Sequence, residues 1–139
     1  MVLVFYPHDG ARASVEVLRQ SQAALPLFER LGASVLAISV DPVESHTALA
    51  SQLGLSFRLL ADSEPLGAVA RAYGVYWANA DASYPAAFVL DEHGIVRWSC
   101  RASVGSHPDL AAILRAVSSL GPRRRLATAE PLEPTKEAA

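Results

Sequence analysis

Three residues near the amino terminus have the side-chain types of a nucleophile, a base and an orienting carboxylate: Ser14, His8 and Asp9. Such a set suits acyl transfer, the imidazole taking the serine proton as the hydroxyl attacks a carbonyl. Their spacing argues against it. Groups this close on one turn rarely reach relay geometry, and the chain lacks the G-x-S-x-G turn that presents a serine between strand and helix. The other reactive side chain is Cys100, the single cysteine in 139 residues. One thiol excludes an internal disulfide framework and any two-cysteine redox motif within the chain. The charge of the neighbouring Arg101 would favour a reactive thiolate. A lone cysteine in a strand also suits a small packing role, which is the preferred reading. His46, His93 and His107 fall at helix starts and in a turn, without a second ligand at metal-binding spacing. Asp62, Asp91 and Glu92 read as cap and turn residues, and no glycine-rich phosphate loop occurs. No metal and no cofactor are expected.

The elements that must hold these residues alternate in type. Residues 2–6 are a continuous apolar run closed by Pro7, the pattern of a strand buried on both faces. Residues 14–31 carry Val17, Leu18, Leu25, Phe28 and Leu31 near helical spacing, with Gly32 as the stop. Pro26 inside this stretch removes a donor and is expected to kink the helix. Residues 33–40 form a second strand. Asp41-Pro42-Val43-Glu44 fits a capping box that opens a helix to about Leu53, ended by Gly54. A third strand follows over 57–60, then a helix capped by Asp62 or Ser63, running through Tyr73 and stopped by Gly74. Residues 75–85 read as a loop with Tyr76 and Trp77. Residues 86–90 and 95–100 form a hairpin across Asp91-Glu92-His93-Gly94. Ser106-His107-Pro108-Asp109 caps a last helix to about Leu120. This order predicts an α/β fold of thioredoxin-like plan: a mixed central sheet, covered by helices on both faces. It occupies one domain over 1–120. Residues 121–139 read as a flexible tail without an apolar face, and its Arg123-Arg124-Arg125 as a solvated cluster.

Composition narrows the classes of partner. The chain is 51% hydrophobic and 19% charged, enough apolar surface for a core and too apolar for disorder. A formal net charge of −2 gives no reason to expect nucleic acid or an anionic membrane as partner. No apolar run approaches the roughly 18 residues needed to span a bilayer. The opening Met1-Val2-Leu3-Val4-Phe5-Tyr6 lacks the basic start and cleavage site of a signal peptide, so a cytoplasmic location is expected.

Several segments together resemble one family. Phe5-Tyr6-Pro7-His8-Asp9-Gly10-Ala11-Arg12-Ala13-Ser14 is similar to the active-site segment of the peroxiredoxins, the alkyl hydroperoxide reductase and thiol-specific antioxidant family. Val40-Asp41-Pro42-Val43-Glu44-Ser45-His46 resembles a second motif of that family. So do Leu59-Leu60-Ala61-Asp62 with Val69-Ala70-Arg71-Ala72-Tyr73-Gly74-Val75, and Phe88-Val89-Leu90-Asp91-Glu92-His93-Gly94-Ile95-Val96-Arg97. The resemblance runs from about Val2 to Leu120.

The resemblance implies a thiol-dependent peroxidase, an antioxidant oxidoreductase in which a cysteine thiolate attacks the O–O bond of a peroxide. A helix N-terminus and an arginine favour the thiolate, and a threonine hydroxyl orients the peroxide. Here the cysteine position is Ser14, the threonine position Ala11 and the arginine position Pro85. A serine hydroxyl does not ionise near neutral pH, so it cannot replace a thiolate. The leading expectation is therefore a family member with a degenerate site that binds or regulates. One alternative is redox chemistry at Cys100. Another is a small-anion or small-molecule site at the former peroxide pocket, lined by Pro7, Ala11, Ser14, Trp77 and Pro85, where the helix N-terminus still attracts negative charge. Tyr84-Pro85 also resembles the cis-proline turn of thioredoxins. The family's usual segment before the first strand is missing from this sequence. Either it is absent, leaving a sheet edge or face uncovered, or the true start lies upstream. An uncovered edge and the family resemblance both imply a homodimer.

Overall fold

The structure, a computed structural model, describes residues 1–121, so the tail expected beyond lies outside the described residues from 122 on. Among the described residues there are seven strands and four α-helices; the helices and five of the strands follow the expected order, with β4 and β5 added. They are β1 (Val2–Phe5), α1 (Arg12–Arg30), β2 (Val35–Ser39), α2 (Val43–Leu53), β3 (Arg58–Ala61) and α3 (Ala68–Ala72). Then come β4 (Tyr76–Trp77), β5 (Ala82–Ser83), β6 (Ala86–Leu90), β7 (Val96–Arg101) and α4 (Leu110–Ser118). The main sheet has the order β3-β2-β1-β6-β7. β1, β2 and β3 are parallel, while β6 and β7 run antiparallel to their neighbours. The sheet is mixed, as predicted.

β1 is the middle strand, with all four residues buried. Its alternation sorts the core into two layers. Val2, Val4 and Tyr6 join Val17, Leu18 and Phe28 of α1 and Ile113 and Val117 of α4. Leu3 and Phe5 face the opposite layer with Ala70 of α3 and Phe88. Each fully buried Leu, Val or Phe contributes about 1.5–3 kcal/mol, so the first layer carries most of the stability. β1 is central and so is not an edge of this sheet. The edges are β3 and β7.

α1 carries Pro26 inside it, as expected. Three local expectations are corrected. Asp41 does not cap α2: the helix starts after Pro42 with no side-chain cap, and the Asp41 carboxylate binds Asp9 N and Ser39 Oγ. α4 is capped by Asp109, whose carboxylate accepts from Ala111 N, and not by Ser106. The helix expected from Asp62 or Ser63 shrinks to Ala68–Ala72. Gly67, at φ 71°, breaks the helical path, and a Cβ there would meet the Tyr76 ring at 2.3 Å. Asp62 still caps, but from a distance, accepting from Val69 N and Ala70 N at 2.9 Å each. In addition, the 75–85 loop contains the β4–β5 hairpin, and the Tyr84–Pro85 bond is trans, since the cis bond among the described residues is Glu64–Pro65.

Candidate functional site

The connection from β1 to α1 carries most of the residues singled out by sequence. Ser14 is the third residue of α1, 1% exposed, and its Oγ has no hydrogen-bond partner among the described residues. The N-cap position is Ala11, which has no side-chain oxygen to offer, and the first turn has no acidic residue. The opening N–H groups of α1 thus have no capping side chain, and the helix dipole leaves positive charge there. Ser14 and the start of α1 can favour negative charge, but no base stands beside the hydroxyl.

The Ser-His-Asp arrangement does not form. His8 is half-exposed and faces Asp41 at 3.9 Å. Asp9 turns inward to His46, with Nδ1 2.9 Å from its Oδ2. Asp9 also accepts from Tyr6 Oη at 2.8 Å and Ser45 Oγ at 2.6 Å. His46 Nε2 lies 3.1 Å from the Leu60 carbonyl, so neither ring nitrogen is open to a serine. Asp9 N donates to Asp41 Oδ2 at 2.8 Å, and Ser39 Oγ donates to the same oxygen at 2.6 Å. Asp9 and His46 are 7% and 3% exposed. This network joins the ends of β1 and β2, the start of α2 and β3, and so holds the approach to α1 in place. Burial, and then the Asp9 charge, push the Tyr6 phenol well above its ordinary value. It stays a donor to Asp9.

Sequence reading passed over Tyr6, Ser45 and His46 as site residues. The available signal was the cluster Asp41, Ser45 and His46 at one helix start, since a histidine there can turn inward only if hydrogen-bond partners meet its ring nitrogens.

The remaining expected residues divide. Pro85 is buried at the start of β6, at the same end of the sheet as α1, because Phe5 pairs with Ala86. Trp77 is not joined to Ser14 or Ala11. It stacks on Tyr84 with ring centroids 5.4 Å apart. Cys100 is half-buried on β7, packed against the layer of α1 and α4. Arg101 does not activate it. Alternate residues of a strand point to opposite faces, and the Arg101 guanidinium lies over Tyr84 at 4.3 Å. Burial, with a smaller push from Asp109, moves the Cys100 thiol up. Asp62 and Asp91 are cap and turn residues as expected. Asp91 accepts from His93 N, Ile95 N and Arg97 Nε. Among the described residues no group of three or more His, Cys, Asp or Glu could hold a metal, and no helix is long and apolar enough to cross a membrane.

A thioredoxin-like α/β sheet whose first long helix starts at the end of its central strand defines the class, and comparisons give the family. The sequence matches the AhpC/TSA family over residues 1–99. The chain belongs to this peroxiredoxin family. Alkyl hydroperoxide reductase E of Mycobacterium tuberculosis is 39% identical over 99 residues, which cover 71% of this chain and 65% of that protein. Peroxiredoxin Bcp of Xanthomonas campestris is 33% identical over 75 residues, 54% of this chain and 46% of that one. The chain thus spans less than two thirds of the length of these relatives. Among solved structures, Enterococcus faecalis AhpC superposes with a TM-score of 0.80 at 22% identity, covering 96% of this chain and 80% of that one. This last likeness supports the fold alone.

Proposed function

We propose that this chain is a peroxiredoxin-family protein that does not run thiol peroxidase chemistry and acts as a binding or regulatory member. The observation that carries this reading is Ser14 at the family's nucleophile position, buried and with no base or partner at its hydroxyl. Peroxide reduction needs a thiolate, and a serine hydroxyl stays protonated near neutral pH. Ala11 and Pro85 at the threonine and arginine positions point the same way. Cys100 is a poor substitute, because burial disfavours its thiolate. A homodimer formed through a sheet edge, and a cytoplasmic location, belong to the same proposal.

A second reading has one observation in its favour. The unpartnered Ser14 hydroxyl at the start of a 19-residue helix would gain a partner from a small anion held there. Pro7, Ala11 and Pro85 lie at the same end of the sheet. Isothermal titration with sulfate or acetate against the protein and its Ser14→Ala variant tests it. Equal binding by both removes Ser14 from any such site.

The test of the first reading is a peroxidase assay with hydrogen peroxide and an alkyl hydroperoxide, dithiothreitol as reductant, and mass spectrometry of Cys100. The expected result is no turnover and an unmodified thiol. Turnover with sulfenic acid at Cys100 overturns the proposal. The combined variant Ser14→Cys, Ala11→Thr, Pro85→Arg is expected to acquire peroxide reactivity at residue 14, which would tie the loss to these positions.

A further inference from the structure

The face of the sheet opposite α1 and α4 ends in a stack of three flat groups drawn from three segments. Trp77 of β4 lies on Tyr84 with 15° between the ring planes, and the Arg101 guanidinium from the end of β7 lies over the Tyr84 ring. The base of the stack is firm. Phe5, Tyr73 and Phe88 pack ring to ring at 4.9–5.6 Å in the layer that Tyr84 joins. Arg101 and Ala86 are direct cross-strand partners, and Ala102 N donates to the Pro85 carbonyl at 2.8 Å, so the stack is tied to the strand end.

The two outward arginines of β7 differ in their partners. Arg97 is held by Asp91, Nε to Oδ2 at 2.7 Å. Arg101 is exposed and makes no ion pair among the described residues. Arg71 of α3 also lies over a ring, 3.9 Å from the Tyr76 centroid, but its guanidinium is engaged as a donor to the Leu66 carbonyl. A guanidinium held flat on an aromatic ring keeps its N–H fork free and has little freedom left to lose, which suits two-point binding of a carboxylate. Trp, Tyr and Arg are also the side chains that concentrate binding energy at protein interfaces.

We propose that the Trp77–Tyr84–Arg101 stack is a docking site for a carboxylate-bearing segment of a partner protein, with the acidic group on Arg101 and an apolar neighbour against Trp77. The partner is acidic because the open charge of the stack, Arg101, is positive and makes no ion pair among the described residues. This inference rests on the binding reading above and names the surface that would do the binding.

The test uses the full chain with Trp98→Phe, so that Trp77 is the one fluorophore. The probes are acetyl-Glu-Leu-Glu-Phe-amide, its Gln-Leu-Gln-Phe counterpart and a single-stranded dT oligomer. The acidic peptide is expected to change Trp77 emission saturably, with a weaker effect in high salt, and the neutral peptide is not. Arg101→Gln is expected to weaken the acidic peptide about tenfold or more, and Arg101→Lys nearly as much, because lysine lacks the planar fork. Equal response to both peptides, an unchanged Kd in Arg101→Gln, or a preference for the oligonucleotide overturns the proposal. So does self-association that Arg101→Gln abolishes, which would give the patch to a second copy. The peroxidase assay keeps the two ideas apart: inactivity without peptide binding removes this site alone, while turnover with peptide binding intact removes the non-catalytic reading alone.

Discussion

Asp9 and Ser14 stand five positions apart on one connection, both buried, and they differ in every other respect. Asp9 is met by Tyr6, Ser45 and His46. Ser14 Oγ meets no partner among the described residues. A buried carboxylate without partners would cost several kcal/mol, so the fold has to complete it. An unmet hydroxyl costs about 1–3 kcal/mol, small enough to be carried by the rest of the core. The fully bonded group is the one that holds the connection in place. The unmet one sits at the start of α1, and the proposed non-catalytic reading turns on it.

The largest test of this contrast is Asp9→Ala. Removing the buried carboxylate leaves Tyr6, Ser45 and His46 without the group that meets them, at about 1–3 kcal/mol for each unmet group, so a loss of about 3–5 kcal/mol is expected, read as a lower urea midpoint with unchanged m-value. A loss under about 1 kcal/mol would mean the network does not hold the connection. Next comes Tyr6→Phe. It keeps the ring and removes one hydrogen bond to the Asp9 carboxylate, with an expected loss of about 1.5–3 kcal/mol.

Asp91 extends the comparison to the other end of β1, where Met1 N donates to the Leu90 carbonyl. Burial alone would raise Asp91, but the hydrogen bond from Arg97, those from the backbone of Ile95 and His93, and the Arg97 charge outweigh it and hold it at about 2. A carboxylate lowered on folding binds fewer protons folded than unfolded. Its stabilising effect is therefore full above the ordinary value near 4 and is lost as pH falls toward 2. Thermal melts between pH 5 and 2 should show part of the acid loss of stability disappear in Arg97→Gln, with the variant less stable than the parent at pH 5. Coincident curves would remove Arg97 from the account.

The smallest expected effect is at Ser14. Ser14→Ala deletes an unmet hydroxyl and should leave stability unchanged or raise it by up to about 1 kcal/mol. A loss above that figure would mean the hydroxyl has a partner in solution, which would favour the anion reading.

Much of this was legible in the sequence. The apolar runs and their turn residues carried the strand and helix order, and four family-like segments together carried the fold. The identities of Ser14, Ala11 and Pro85 needed no coordinates. The failures were local and share a cause. Asp41, Ser106 and the Asp62 segment have the spacing of caps, but spacing does not say where a carboxylate turns once other donors are near. Asp41 was drawn to Asp9 N and Ser39, and Gly67 and its contact with Tyr76 delayed α3.

Composition and order along the chain thus determined the α/β class, the burial of an all-apolar first strand on both faces, and the presence of a single thiol in these 139 residues. These follow from local periodicity and from residue identity. Only the tertiary structure decided that Asp9 serves His46 and not His8, that Arg101 lies on Tyr84 and not beside Cys100, and that Ser14 is buried without a partner. Each depends on which residues distant in sequence meet across the sheet. Hydrogen bonds and ion pairs are short-ranged and directional, so they take their partners from that packing and not from sequence neighbours.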